Sequence, residues 1–591
     1  VPDAGPREAP AEVPAVQAPA PAPASTRMAR PWGILAFAGV VAVLFLAYLH
    51  LSRNQQVEAD GASNALQAWD MLHGNLLLRG WTVTDVSFYT TELPEYMLVE
   101  AIRGLSADVL HAAAALTYAL MVPLAAMLAK GRATGREAAV RMLVAAGILI
   151  APQPGAGVFI VLFQPDHMGT QVPLLVTWLV LDRAPRRWYT PVAVGVLLTW
   201  IGVADMIVAL VAVIPLVLVC AVRVVLAWRA AAPDRASAAA ASSPGAAWRG
   251  SLALAWFELA LAGAAIAAYL AADLAVALIR ALGGYSVLPV SNRLGTLGTL
   301  PDRFRVAADG VLGLYGASFQ GGPHGFALAF ALLHLAGLCL AVAGLALALR
   351  RLCAGQDMIA EVLAVSICVN VIAYLISVRT VGYWSAREIA GVLPAGAVLA
   401  GRMIGPALTQ RRGRQGQAIW RILSTVLAVV LCGYLAAVGY GATRPPVPAV
   451  GQDLAAWLRG HGLHHGLAGY GLANVSTLAS GNSVQVRPVV LAPDDRLIPG
   501  PYEYDLAWYD ATRQDASFVV VLVHPQALDW MTKSQAIATF GAPAHQYVFS
   551  RYLIMTWDKN LLTELGPPCP ALGAQLLGSA GKLSRDACGP A

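Results

Sequence analysis

Between Glu58 and Glu100 the chain reads EADGASNALQAWDMLHGNLLLRGWTVTDVSFYTTELPEYMLVE, and the rest of the sequence is organised around it. The stretch separates the first long apolar run from the second. It gathers Glu58, Asp60, Asp70, Asp85, Glu92, Glu95 and Glu100 in a protein that is only 13% charged. Trp69, Trp81, Phe88, Tyr89 and Tyr96 are interleaved with these carboxylates. A tether between two membrane helices needs neither the length nor the rings. Carboxylates mixed with aromatic side chains at a membrane face suit a sugar or substrate site better. Leu66, Trp69, Leu72 and Leu76 fall at helical spacing, which predicts an amphipathic helix over 59–78 lying on the membrane surface and broken at Gly80-Trp81. Pro94 suits the first turn of a second helix running towards Arg103.

Apolar runs of membrane-spanning length recur on both sides of this stretch. Hydrophobic residues make up 58% of the chain and the mean hydropathy is +0.61. Roughly 20 apolar residues cross the ~30 Å hydrocarbon core, so the fold class is mainly α, a polytopic membrane protein. The net charge of +6 does not point to nucleic acid, because the basic residues sit between apolar runs, where they set orientation. They cluster at Arg27/Arg30, Lys130/Arg132/Arg136, Arg183/Arg186/Arg187, Arg223 to Arg249, Arg350/Arg351 and Arg402 to Arg421. Placing every cluster in the cytoplasm predicts spans near 31–51, 107–129, 137–155, 160–181, 189–203, 206–228, 250–281, 323–349, 358–378, 386–404 and 419–440. That is about eleven helices, with the N-terminus inside and the C-terminus outside the cell membrane. The runs look broken around Pro152–Gly155 and Ala204–Asp205.

Four parts follow: an Ala/Pro-rich disordered cytoplasmic tail (1–30), a transmembrane domain (31–440), an extracytoplasmic α/β domain (441–565) and a tail (566–591). The first apolar run reads as an uncleaved helix rather than a signal peptide. Residues 231–245 are a low-complexity linker. The external loops are 52–106 and 282–322, and the second carries Arg293, Arg303 and Arg305 on the side where Arg is unexpected. These either meet an anionic head group or substrate phosphate, or pair with loop carboxylates. In the last domain, 453–458 starts a helix, 483–491 and 517–523 read as strands, 527–540 as a helix and 547–557 as a strand. Cys220, Cys339, Cys353, Cys368 and Cys432 lie in or beside apolar runs, whereas Cys569 and Cys588 share the polar C-terminal region. An exported compartment predicts a disulfide between those two, the alternative being two free thiols.

This layout resembles the GT-C class of membrane glycosyltransferases, of the protein mannosyltransferase or aminoarabinose transferase type. The resemblance rests on an external loop after the first span bearing the pair Glu58-x-Asp60, on DVSFYTTELPEYMLVE at Asp85 to Glu100, on Tyr383-Trp384-Ser385-Ala386-Arg387-Glu388 with Leu393-Pro394 beyond it, and on a C-terminal external domain. It implies an enzyme that transfers a sugar from a polyprenyl-phosphate carrier to an extracytoplasmic glycan, lipid or protein. The spaced pair Glu58-x-Asp60 is less dense than the adjacent acidic residues of some members.

The chemistry can be stated without the name. Such a transfer needs a base for the acceptor hydroxyl and a cation for the departing phosphate. Asp60 is the expected base with Glu58 as its neighbour; residues two apart share one site only where the backbone is not helical. Asp85 and Glu92 would position sugar hydroxyls, with Tyr89 beside them, or else cap helices and pair with Arg79 and Arg103. Arg387, at the predicted external start of the tenth span, is the expected cation, with Arg379 eight residues earlier; the alternative is interfacial snorkelling. Asp166 and His167 either line the cavity or form an Asp–His pair in a loop. An ionisable group at membrane depth costs about 2.5–3.5 kcal/mol on insertion scales, which favours a purpose. No cofactor is identified; a divalent cation stays open, and no metal ligands are assigned. His461, His464 and His465 read as a solvated loop rather than zinc ligands. Asp205 and Asp273 lie in or between spans, where they either belong to an ion path or bond to a neighbouring helix, and Gly295-Thr296-Leu297-Gly298 is not a nucleotide loop because no strand precedes it. Two other function classes remain: a transporter of a lipid-linked intermediate, which would want repeat symmetry, and a catalytically silent scaffold that binds glycan or protein.

Overall fold

The computed structural model describes residues 29–152, 161–230, 244–288, 293–409, 413–500, 502–524 and 531–573. The N-terminal tail, most of the 231–245 linker, most of the Pro152–Gly155 break, Asn292 and Cys588 lie outside them. Among the described residues seven helices are long and apolar enough to cross a membrane: Trp32–Ser52, Asp108–Lys130, Ala209–Arg229, Ala255–Ala281, Phe326–Arg350, Met358–Ile376 and Val392–Thr409. Helices Gly135–Leu149, Met168–Arg183 and Tyr189–Ala204 occupy three more of the expected stretches but are shorter, and Gly413–Ala442 covers the last. The expected break at Ala204–Asp205 is present, with Asp205 leaving the helix in an extended conformation.

Asp108–Lys130 is the central helix, with about four-fifths of its apolar window (78%) inside the protein against 17% for Trp32–Ser52. Its buried face is rich in alanine (Ala112, Ala113, Ala115, Ala119, Ala125, Ala129), and small side chains let neighbouring helices approach closely where lipid offers no hydrophobic drive between them. It packs against Ala29–Ser52, Gly135–Leu149, Met168–Arg183 and Val392–Thr409. At the end carrying the basic clusters, Arg402 reaches Asp182 at 2.7 Å, Asp357 at 2.9 Å and the Leu128 carbonyl at 2.8 Å. One guanidinium thereby ties four segments.

At the opposite end lies a polar layer. Helix Ala59–Leu72 stops at Leu72, earlier than its periodicity predicts, because the chain turns through Gly74, Leu78 and Gly80, all at positive φ. It does not lie on a membrane surface: every residue from Gly61 to Ala68 is buried. Its alanines and Ser63, Asn64 and Gln67 allow burial on several sides, which apolar periodicity alone does not register. Helix Glu92–Arg103 begins two residues before Pro94, and helix Leu300–Leu314 stands inside what reads as loop 282–322.

The C-terminal region is a six-stranded sheet, in the order β5-β4-β3-β7-β9-β8. Its strands are β3 (His465–Gly469), β4 (Gln485–Leu491), β5 (Leu497–Pro499), β7 (Phe518–Leu522), β8 (His545–Phe549) and β9 (Tyr552–Thr556). β3, β4 and β7 are parallel and the remainder antiparallel. The single strand expected over 547–557 is a hairpin turning at Ser550, φ +53. β3 and the helix Tyr470–Ala479 after it were not expected, because the glycines of HGLAGYGLAN mask both periodicities. A second, small sheet stitches three distant pieces together. β1 (Trp81–Val83) of the first loop pairs parallel with β2 (Ser286–Val287) of the second and antiparallel with β6 (Tyr504–Asp505) of the C-terminal region. Helix Tyr470–Ala479 packs on Ala59–Leu72, so the C-terminal region is seated directly on the first loop.

Candidate active site at the loop and domain junction

Five segments converge on one cluster of charges. Glu58, in extended conformation, immediately precedes helix Ala59–Leu72, and Asp60 lies in its first turn. The change of backbone between them lets both carboxylates serve one site. From the 3-10 turn Tyr383–Ile389, Arg387 Nη1 reaches Asp60 Oδ2 at 3.1 Å and Asp166 Oδ2 at 3.6 Å. The helix that follows starts only at Val392, so Arg387 does not stand at a helix N-terminus as expected. Asp166 is held by Asn64 Nδ2 at 3.2 Å and Gln164 Nε2 at 2.6 Å. Tyr470, the first residue after β3, donates to Asp60 Oδ1 at 2.8 Å and also contacts Glu503. β3 lies between β4, reached by the first crossover, and β7, reached later. Tyr470 therefore leaves the carboxyl end of a strand beside the point where the chain reverses its order, a place where α/β sheets open a crevice.

Burial dominates the electrostatics. It pushes the Glu58 carboxyl up to about 8, helped by Asp60 and Asp166 and opposed by Arg387. Glu503 is 3% exposed, and burial together with the Asp60 charge raises its carboxyl well above the ordinary range. Burial thus biases both Glu58 and Glu503 towards their neutral forms, and Asp60 and Asp166 are the carboxylates in contact with Arg387.

Other candidate residues make their contacts elsewhere. Arg379 pairs with Asp85 at 2.5 Å. Asp166 and His167 do not pair with each other. His167, at φ +56, turns its ring away to Asp205 (2.6 Å), which also accepts from Thr170 at 3.2 Å. Glu92 is fully buried, accepting from the Thr170 N–H at 3.0 Å, and anchors the same turn rather than facing Asp60. The Tyr89 hydroxyl donates to the Leu76 carbonyl at 2.8 Å. Arg293 is exposed and joins the 377–378 segment through its carbonyl.

Tyr470, Glu503, Asn64 and Gln164 were not anticipated. Glu503 had a legible signal: Tyr502-Glu503-Tyr504-Asp505 has the same acidic–aromatic composition as the first loop. Among the described residues no group of three or more His, Cys, Asp or Glu side chains is placed to hold a metal ion. Asp60 and Asp166, the carboxylates a divalent cation would need, are bridged by Arg387, and this arrangement does not fit a cation between them. His465 pairs with Asp515, and Cys569 is in a disulfide.

No family model matches the chain, and no curated protein matches its sequence. Its structure is similar to ArnT from Cupriavidus metallidurans bound to undecaprenyl phosphate, at 16% identity and TM-score 0.48, covering 91% of this chain and 100% of that one. It is also similar to the Archaeoglobus fulgidus oligosaccharyltransferase tethered with an acceptor peptide, at 12% identity and TM-score 0.45, covering 82% and 69%. A third likeness is to the arabinofuranosyltransferase AftD from Mycobacteria, at 16% identity and TM-score 0.36, covering 89% of this chain and 41% of that one. All three TM-scores lie below 0.5, so these likenesses assign neither donor nor acceptor to this chain.

Proposed function

We propose that this protein is an integral membrane glycosyltransferase that moves a sugar from a polyprenyl-phosphate carrier to an extracytoplasmic acceptor: a glycan, lipid or protein of the cell envelope. The observation that carries this reading is the contact of Arg387 with Asp60, a cation and a base from distant parts of the chain at one polar junction. The Asp60 carboxylate takes the proton of the acceptor hydroxyl, and the hydroxyl oxygen bonds to the anomeric carbon. The bond from that carbon to the phosphate oxygen breaks, and the polyprenyl phosphate leaves with its charge met by Arg387. Both carboxylate contacts use Nη1, and a guanidinium carries five donors, so the same side chain can serve a phosphate oxygen. Arg379, with Asp85, lies behind it as the second guanidinium, while His167 and Glu92 fix the turn that presents Asp166.

The proposal includes about eleven spans, a cytoplasmic N-terminus and an extracytoplasmic α/β domain over 441–565. It gives Arg387 the charge-neutralising part that a divalent cation would otherwise fill, so transfer is expected to survive chelation. The test is transfer from radiolabelled polyprenyl-phosphate sugars in membranes, wild type against Asp60→Asn at matched expression. Loss of a general base typically costs ~10²–10⁴-fold. Near-normal transfer by Asp60→Asn removes Asp60 as base. No transfer by the wild type from a panel of donors replaces the enzyme with the silent scaffold.

A further inference from the structure

We infer that Glu503 works as a protonated carboxylic acid that turns the Tyr470 hydroxyl onto Asp60, so that the C-terminal region forms part of the base. This deepens the proposed glycosyltransferase reading and rests on it for the role of Asp60. Three oxygens stand in a row: Asp60 Oδ1, the Tyr470 hydroxyl and Glu503 Oε2. A phenol carries one proton and cannot donate to two carboxylates at once. If Tyr470 donates to Asp60, the Glu503 contact requires a proton on Glu503. If it donates to Glu503, Asp60 must carry the proton while facing Arg387. The first arrangement wins on charge, because Asp60 faces the guanidinium at 3.1 Å and is 23% exposed, while Glu503 is 3% exposed. Burial of Glu503 beside Asp60 acts in the same direction.

The backbone around Glu503 indicates a position held for a purpose. It stands at φ +56, a left-handed conformation that disfavours a side chain. It is kept there by three contacts: its N–H donates to the Thr82 carbonyl at 2.7 Å, and its carbonyl accepts from Asn474 Nδ2 at 3.3 Å and Ser63 Oγ at 3.4 Å. The first loop and helix Tyr470–Ala479 thus jointly aim this carboxyl. The charged and titratable groups facing the chain of oxygens are Glu58, Asp60, Asp166, Arg387, Tyr470 and Tyr502, with Glu388 acting on Arg387. Tyr470 and Glu503 act through Asp60 and are positioning residues.

The test uses Tyr470→Phe, Glu503→Gln and Glu503→Leu in the full-length protein, with Asp60→Asn in the same assay. A glutamine amide donates like a carboxylic acid, so Glu503→Gln should keep transfer within about 3-fold of wild type. Glu503→Leu carries the same backbone strain without a donor and should lose about 10-fold in kcat, as should Tyr470→Phe. Loss of a hydrogen bond to a carboxylate favours its protonated form, so the acidic limb of kcat/KM should move up by about one pH unit in Tyr470→Phe and Glu503→Leu. Equal losses in Glu503→Gln and Glu503→Leu would mean that Glu503 acts ionised, which overturns the inference. An unmoved acidic limb in Tyr470→Phe, with Asp60→Asn inactive, overturns it while leaving the base in place. Transfer surviving Asp60→Asn removes the base reading instead. Infrared difference spectra of purified wild type against Glu503→Gln give a readout independent of transfer. A protonated carboxyl C=O band at pH 7 is expected, and its absence refutes the inference.

Discussion

Arg387 Nη1 stands 3.1 Å from Asp60 Oδ2, across 327 residues of sequence, and the two side chains are 25% and 23% exposed. The pair is neither a fully screened surface bridge nor a sealed one, and a third charge, Asp166, shares the guanidinium at 3.6 Å. Truncating Arg387 therefore leaves two carboxylates facing each other without a cation, a loss of stability as well as of function.

Arg387→Ala is expected to raise the donor KM as well as lower kcat, because the phosphate is already charged in the ground state. It should also lower stability by about 1–3 kcal/mol, the range for groups left unpaired when partly buried. Arg387→Lys keeps the charge but not the planar fork and should fall between. Donor titrations and melting temperature in detergent read the two effects separately. An unchanged donor KM in Arg387→Ala would leave the guanidinium a purely structural clasp.

The Glu58 carboxyl, held up to about 8 by burial and then by Asp60, predicts a pH effect of definite sign. Its folded value lies above the ordinary carboxylate value, so its contribution to stability is full below about 4.5 and is lost as pH rises through about 8. In the same window its ionisation adds a negative charge beside Asp60 and repels the phosphate donor. Donor KM should climb between pH 7 and 9 in wild type, and Glu58→Gln should flatten that climb. A climb of equal size in Glu58→Gln would assign it to another group.

Much of the membrane part was legible, because bilayer thickness imposes long apolar runs that composition alone reveals. Asp60 and Arg387 were legible as chemistry, though not as partners: a contact between positions 60 and 387 leaves no periodic trace. Tyr470 was hidden because its strand and helix are glycine-rich and short. The internal wiring of the first loop was hidden for a different reason. Glu92 and His167 carry the residue types of a site, and only packing tells that they hold its frame through Thr170 and Asp205.

Gly61 predicts how tightly that frame is packed. Glycine to alanine within a helix ordinarily stabilises by about 0.5–1 kcal/mol. Here a Cβ would lie 2.6 Å from Gln164 Oε1 and 2.7 Å from Leu110 Cδ2, and overpacking of this kind costs about 1–3 kcal/mol. The clash wins, and it displaces the amide that holds Asp166 at 2.6 Å. Gly61→Ala should therefore lower both melting temperature and transfer, whereas Gly460→Ala, in the helix Gln452–Gly460 with nothing within 4 Å of its Cβ, should leave transfer unchanged and hold or slightly raise the melting temperature. Equal behaviour of the two variants would show that the Gln164 side chain yields freely.

Orientation can be read by an impermeant thiol reagent on intact cells, provided that the positions are accessible in the folded protein. Ser63, in the middle of the first loop, is fully buried and would stay silent whichever side it faced. His73, in the same loop, and Thr512, in the C-terminal region, are exposed, as is Arg187 in the basic turn between helices Met168–Arg183 and Tyr189–Ala204. If the basic clusters are cytoplasmic, His73→Cys and Thr512→Cys should be labelled in intact cells, and Arg187→Cys only after permeabilisation. Because β1 pairs with β6, His73 and Thr512 belong to one polar layer, so the two must agree. Labelling of all three in intact cells would refute the cytoplasmic basic clusters. Opposite results for His73 and Thr512 would refute the shared sheet.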